Sequence, residues 1–161
     1  MGAKQRYALL LEPLLTQAAG YARSLLRNRH DAEDAVQQAA LRGFERIGSF
    51  DANRPFRGWW FAILRNCCID ILRQTKTMQA SDLRHDEPAD SPPQQTSDWE
   101  HLSVAMSRLS NAHREILQLR YFAGLTYREL AEALSIPEGT VMSRLHLARK
   151  TLQATMREEA P

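Results

Sequence analysis

Between Leu125 and Thr151 the sequence reads LTYRELAEALSIPEGTVMSRLHLARKT, and its polar residues are spaced for reading the edges of DNA bases. On a helix beginning at Pro137, the residues Glu138, Gly139, Met142, Ser143, His146, Arg149 and Lys150 share one face, with Thr140 and Arg144 beside it. Hydroxyls, an imidazole and basic groups on an otherwise unburied face suit insertion into a major groove, whose base edges present donors and acceptors between two rows of phosphates. The opposite face, Val141, Leu145, Ala148 and Leu152, recurs at helical spacing and predicts burial. The preceding segment supplies a second helix. Thr126 with Glu129 three residues on is a capping box, in which hydroxyl and carboxylate each satisfy an orphan N–H. Leu130, Ala131 and Leu134 form that helix's apolar face. Ser135 and Ile136 make the turn, and Pro137 fits a first helical position because its missing N–H costs nothing there. Together these residues spell a helix-turn-helix. The competing reading is a helical hairpin with a solvated basic face, so the rest of the chain must decide.

Charge is segregated along the 161 residues despite a net +2. Residues 1–78 carry 12 Lys and Arg against 7 Asp and Glu; residues 79–100 carry 1 against 6; residues 101–161 carry 8 against 6. Two basic blocks flanking an acidic strip suggest two nucleic-acid-facing modules and a connector. No apolar run approaches the roughly 20 residues that span a bilayer, and the opening MGAKQRYALLLEPLL has no cleavable signal pattern, so the expected location is the cytoplasm, with no membrane contact. Adjacent Cys67 and Cys68 lack metal-ligand spacing and read as small core residues in a reducing compartment, with a redox sensor as the minor alternative. The five histidines are scattered, and neither a metal nor a cofactor site is expected.

The first block divides into helices. Leu10, Leu14, Ala18, Tyr21, Ala22 and Leu25 predict one or two helices over Tyr7 to Asn28, with Pro13 near a start. Asp31 is expected to cap the next, with Glu33 and Asp34 in a first turn where the helix dipole favours acids. Its expected buried stripe is Val36, Ala40, Phe44 and Ile47, with Ala39 flanking, leaving Asp34, Gln37, Gln38, Arg42 and Glu45 outside. After the turn-rich GSFDANRP comes a helix from Arg57 to Lys76 with Trp60, Ile63, Leu64, Cys67 and Ile71 inward. Trp59, Asn66, Asp70 and Arg73 lie on another face, with Arg65 at its edge. Adjacent Trp59 and Trp60 cannot both point inward, and an indole left beside arginines is a stacking platform for unpaired bases.

From Met78 the Pro-, Ser-, Gln- and Asp-rich MQASDLRHDEPADSPPQQT reads as a flexible acidic linker. Beyond it, Leu102, Ala105, Met106 and Leu109 predict one helix, and Ile116, Leu117, Leu119 and Tyr121 another that stops at Gly124. No strand alternation is visible. The expected fold is all-α: two small helical bundles, residues 1–77 and 99–161, joined by a linker at 78–98.

Two segments together resemble a known family. DAEDAVQQAALRGFERIGSFDANRPFRGWWFAILRNCCIDILR resembles the second region of bacterial sigma-70-type initiation factors, and LSNAHREILQLRYFAGLTYRELAEALSIPEGTVMSRLHLARKTL resembles the fourth. Their order, linker and short total length resemble the extracytoplasmic-function group. The resemblance implies that Asp34, Gln37 and Gln38, with Leu41 nearby, contact the clamp helices of RNA polymerase. It implies that the loop Ser49 to Pro55, including Phe50, Asp51 and Asn53, captures a flipped base of the −10 element. Trp59 and Asn66 would then meet the non-template strand, with Arg57, Arg65 and Arg73 on phosphates. Thr140, Ser143, Arg144 and His146 match family positions at the −35 element; Arg128 on the preceding helix is expected to clamp backbone phosphate, and Met142 and Arg149 on the exposed face complete the expected duplex contacts. The chain departs from the family pattern at Gln38, where Glu is common, and at Ala62, Met142 and Leu147, where relatives often carry basic residues. Implied partners are core RNA polymerase, promoter DNA and an anti-sigma factor; no small-molecule substrate is implied.

The rival from another class is a free-standing helix-turn-helix regulator that binds a palindrome as a dimer. That reading leaves the DAED helix and the WWFAILRN segment without a role. A decoy that titrates an anti-sigma factor would not need basic residues on its recognition helix. An enzyme is not expected, because the sequence has no Gly-rich phosphate loop, metal constellation or nucleophile–base pair.

Overall fold

A computed structural model describes residues 1–81 and 97–159, and among these every regular element is helical. The N-terminal unit holds α1 (Ala3–Leu11), α2 (Leu15–Leu26), α3 (Arg29–Arg46) and α4 (Phe56–Ser81). The C-terminal unit holds α5 (Ser97–Ser107), α6 (Asn111–Tyr121), α7 (Tyr127–Leu134) and α8 (Glu138–Glu159). Short 3-10 turns at Glu12–Leu14 and Ile47–Ser49 join α1 to α2 and close α3. Pro13 sits in the first of these, so it separates two helices rather than starting one. Helix covers both ends of the span expected to be linker, since α4 continues through Ser81 and α5 opens at Ser97. The rest of that linker lies outside the described residues.

The core of the N-terminal unit is built on α4. Trp60, Phe61, Ile63, Leu64, Cys67, Cys68 and Ile71 are all buried, which adds Phe61 to the expected inward stripe and agrees with the reading of both cysteines as core residues. The Trp60 indole donates to the Tyr7 hydroxyl at 2.9 Å, and that hydroxyl donates to the Ala40 carbonyl at 2.8 Å, so one polar chain ties α1, α3 and α4. Gly43 makes this possible: a Cβ there would collide with the Tyr7 hydroxyl.

Helix α3 differs from expectation in two respects. Its cap is Asn28, whose side chain accepts from the Asp31 amide at 3.1 Å, so Asp31 is a first-turn residue and not the cap. Its buried stripe is Ala32, Ala35, Ala39 and Gly43; Ile47, just beyond it, and the flanking Ala39 are buried as expected, while Val36 and Ala40 are half-buried and Phe44 is exposed. The small residues face α2 and α4 because close helix approach excludes large ones. Phe44 instead lies edge-on to Tyr7 and under Lys4.

In the C-terminal unit the capping box forms as read: the Glu129 amide donates to the Thr126 hydroxyl and the Thr126 amide to the Glu129 carboxylate. Ser135 carries the turn in the left-handed conformation (φ 55°). Helix α8 begins at Glu138, one residue after the proline. Val141, Leu145 and Ala148 are buried as expected; in α7 it is Leu130 and Ala133, and not Ala131 or Leu134, that are fully buried. Tyr121, expected inward, is exposed.

Both cysteines are free and fully buried. Burial pushes both thiols up, Cys68 to about 12, so thiolate is scarce at neutral pH. This favours the core-residue reading over the redox sensor. Native protein at neutral pH is expected to resist iodoacetamide for hours and to take two equivalents only once denatured, as read by intact mass; rapid labelling of the native protein would contradict this placement.

Candidate nucleic-acid interface

The recognition helix presents most of the residues expected of it. Met142, Ser143, His146, Leu147 and Lys150 are exposed along α8, with Thr140 and Arg144 half-buried beside them. Met142 and Leu147 are exposed apolar side chains on this face, open to a thymine methyl or to a protein surface. Arg149 is placed differently. Its Nε donates to the Tyr121 hydroxyl at 2.8 Å, and its guanidinium lies 5.7 Å from that ring's centre. Hydrogen bonds from Arg149 to Tyr127 and Tyr121 raise its pKa further above the usual arginine value. Arg149 thus lines, with Leu117, Tyr121, Leu152 and Met156, an open groove between α6 and α8. Tyr121 was the missed residue here, because its place in the α6 pattern suggested core.

Other basic residues of this unit are held internally. Arg114 donates to the carbonyls of Met106, Ser107 and Leu109, which fixes the α5–α6 turn. Arg120 donates to the Leu125 carbonyl at 2.6 Å. The basic surplus of this block is therefore partly structural.

In the N-terminal unit, Phe50, Phe56 and Trp59 form one aromatic cluster, with Phe50 and Trp59 centroids 4.7 Å apart. Trp59 is half-buried while Trp60 is buried, which resolves the tandem pair as the sequence required. Asp51 and Asn53 are exposed in the loop, where the Asn53 amide donates to the Asp51 carboxylate at 2.9 Å. Asn66 and Arg73 are exposed further along α4. Asp34, Gln37, Gln38 and Leu41 follow one another up the outer side of α3; Gln37, Gln38 and Leu41 are exposed and Asp34 is half-buried.

Several residues expected to meet DNA instead meet the other unit. Arg57 contacts the Glu129 carboxylate at 3.2 Å and donates to the Ala123 and Gly124 carbonyls at 3.0 and 3.2 Å. Arg65 pairs with Glu115, and Arg54 with Glu132. Arg128, expected to clamp a phosphate, donates to the Asn53 carbonyl at 3.1 Å. Gln118 adds a bond to the Ser24 carbonyl at 3.1 Å. These pairings are invisible to sequence reading because each joins residues more than 45 positions apart, with the acidic partners on helices read as part of a DNA-binding unit.

Residues 10–77 match the sigma-70 region 2 family model and residues 100–152 the sigma-70 region 4 model. The extracytoplasmic-function sigma factor SigL of Mycobacterium tuberculosis is 34% identical over 169 residues, spanning 98% of this chain and 94% of that protein. SigW of Bacillus subtilis is 29% identical over 149 residues, spanning 83% and 80%. Among solved structures, the sigma factor RpoE of Bartonella quintana, in complex with the anti-sigma factor NepR, matches with TM-score 0.75 and 28% identity over 95% of this chain and 98% of that one. CnrH, solved with the cytosolic domain of CnrY, shares the fold with TM-score 0.73 over 97% of this chain and 91% of that one.

A helix-turn-helix bundle preceded by an aromatic-rich helical bundle, each matching its own sigma-70 region, defines a sigma-70 family RNA polymerase sigma factor. The chain belongs to the extracytoplasmic-function group of that family. It is an initiation factor for transcription and not an enzyme.

Proposed function

We infer that this initiation factor divides promoter recognition between its two units. The observation that carries the reading is the pairing of an exposed Ser143/His146 face on α8 with the Phe50–Trp59 aromatic cluster beside exposed Asn66. Residues 99–161 read the −35 duplex through Thr140, Met142, Ser143, Arg144 and His146, with Arg128 on phosphate; Arg149 supports the helix through Tyr121 and reaches DNA only on leaving that tyrosine. Residues 1–77 take the −10 non-template strand. An extruded base stacks on Trp59 or Phe50, with Asp51, Asn53 and Asn66 as polar contacts and Arg57, Arg65 and Arg73 on phosphates. Stacking worth about 1–3 kcal/mol per base offsets a similar cost of leaving the duplex. The linker, residues 78–98, couples two modest affinities through effective concentration.

Core RNA polymerase binds along the α3 strip of Asp34, Gln37, Gln38 and Leu41. Leu41 is 66% exposed, an apolar side chain on a polar face that burial by a partner would stabilise. No described helix is long and apolar enough to cross a membrane. The cytoplasm is the location we assign. An anti-sigma factor is the assigned regulator, supported by the solved relative bound to one.

The test is run-off transcription by purified core polymerase on a genomic fragment pool, with and without the protein. Transcripts that require it and share upstream elements support the reading. Absence of such transcripts, with dimeric binding to a palindrome and no polymerase contact, would replace it with the free-standing regulator.

A further inference from the structure

One side chain on the recognition face does not match its neighbours. Met142 is 57% exposed, and it stands on α8 among Gly139, Ser143 and His146, all of them open to solvent. It is the fifth residue of α8, within the first turns that a recognition helix presents to base edges. The hydroxyl beside it is already committed. Ser143 Oγ donates to the Thr140 carbonyl at 3.1 Å, so outward it offers lone pairs and no proton. Such a group accepts from an exocyclic amine and gains nothing from a base's carbonyl oxygen. Gly139 supplies an independent observation. It is the second residue of α8, without a positive φ, and a Cβ built on it would meet nothing within 4 Å. The fold therefore has no use for glycine there, although glycine weakens a helix relative to alanine. A missing side chain that no protein atom requires fits a body outside the chain approaching that turn closely. Gly139 and Met142, three residues apart, are neighbours on one helix face.

We propose that Met142 reads the C5 methyl group of a pyrimidine in the −35 duplex, at a turn of α8 that Gly139 lets settle close to the base edges. The inference rests on the −35 reading given above and names what one of its contacts recognises. The major groove shows a methyl only where a pyrimidine carries one at C5, as thymine does and unmodified cytosine does not. A thioether side chain covers that methyl by dispersion and by taking both groups out of water, with no hydrogen bond to satisfy. The Ser143 lone pairs fit the same base pairs. An A·T pair presents the adenine amine beside the thymine methyl, and a pair of guanine with 5-methylcytosine presents amine and methyl on one ring. The shared chemistry is a 5-methylpyrimidine, and thymine and 5-methylcytosine are its two sources. Leu147, also exposed, is the tenth residue of α8, more than one turn beyond Met142, and lies outside this site.

The test uses holoenzyme, the full chain with core polymerase, on a promoter recovered by run-off transcription. Binding is read by competition against a fluorescent duplex carrying that promoter. Each −35 thymine is replaced in turn by uracil, which deletes only the methyl. At least one replacement is expected to weaken wild-type binding about fourfold, the factor for one buried methyl. With Met142→Ala, thymine and uracil duplexes should bind equally, whereas Leu147→Ala should keep the wild-type preference. At the same position, a cytosine methylated at C5 should outcompete plain cytosine by a similar factor, and only when Met142 is present. Gly139→Ala should weaken every −35 duplex at least about fivefold while its thermal midpoint stays level or rises, a split that a merely structural glycine would not give. A uracil penalty without a methylcytosine gain upholds the contact with thymine as its source; both together admit either base. Indifference to uracil at every position, where replacing thymine by adenine still costs binding, overturns the inference and leaves the −35 reading standing. A uracil penalty that survives Met142→Ala overturns it as well. Indifference to every −35 substitution overturns the −35 reading itself, and the methyl contact with it.

Discussion

Replacing Trp60 by alanine is expected to cost the protein about 3–5 kcal/mol, read from the midpoint of urea unfolding followed by circular dichroism. The indole is fully buried, lies edge-to-face with Phe61 at 5.4 Å, and donates to the Tyr7 hydroxyl. Truncation therefore opens a large cavity and also removes the donor that holds Tyr7 in place. Tyr7 in turn packs against Phe44 and Phe56 and bonds the Ala40 carbonyl, so the loss spreads from α4 to α1 and α3. Small domains hold only about 5–15 kcal/mol in total, and this one substitution consumes a large share. Trp60→Phe keeps much of the volume and loses the hydrogen bond, so roughly half the cost should return with it. A loss below about 1 kcal/mol for the alanine variant would mean that α4 is not the centre of this unit.

Trp59→Ala is expected to act on function far more than on folding. Trp59 sits half-buried against Phe50 and Phe56 at the mouth of the −10 loop, so truncation leaves the deeper core intact. If one base stacks there, its loss weakens open-complex formation by about 1–3 kcal/mol, roughly 5- to 150-fold. Trp59→Phe should recover part of this, since a smaller ring still offers a face. The readout that separates stacking from general damage is duplex binding, which should be unchanged, together with a thermal midpoint within a few degrees of wild type. If duplex binding falls in parallel with opening, Trp59 is a packing residue and the stacking assignment fails.

Much of this was legible in the residues themselves. Capping by Thr126 and Glu129, the turn at Ser135 and the inward Val141–Leu145–Ala148 stripe follow from local rules that packing did not override. The inward series Trp60, Leu64, Cys67 and Ile71 followed from its 3.6-residue spacing, and the tandem tryptophans had to point two ways. The α3 stripe was misread for a physical reason: size was taken as the marker of burial, whereas a helix squeezed against α2 and α4 buries alanines and Gly43 and turns Phe44 outward. The cap of that helix shifted to Asn28 because asparagine caps as well as aspartate does, and the sequence offers both within four positions. What could not be read was the partnership between the units. Arg57 and Arg65 carry the right charge for phosphate and equally for Glu129 and Glu115, and charge alone does not choose between them.

The division of labour between the units is tested most directly by permanganate footprinting of unpaired thymines on a promoter recovered by run-off transcription, with core polymerase and either wild-type protein or Asn66→Ala. Asn66 is exposed on α4, so its truncation should leave folding unaffected. The wild-type complex should show reactive thymines in the −10 region. Asn66→Ala should reduce that reactivity by about tenfold, consistent with loss of one strand contact, while protection of the −35 duplex persists. A Ser143→Ala/His146→Ala variant should do the reverse, losing −35 protection first. Undiminished −10 reactivity with Asn66→Ala, or loss of −35 protection together with it, would contradict the assignment of strand capture to the first unit and duplex reading to the second.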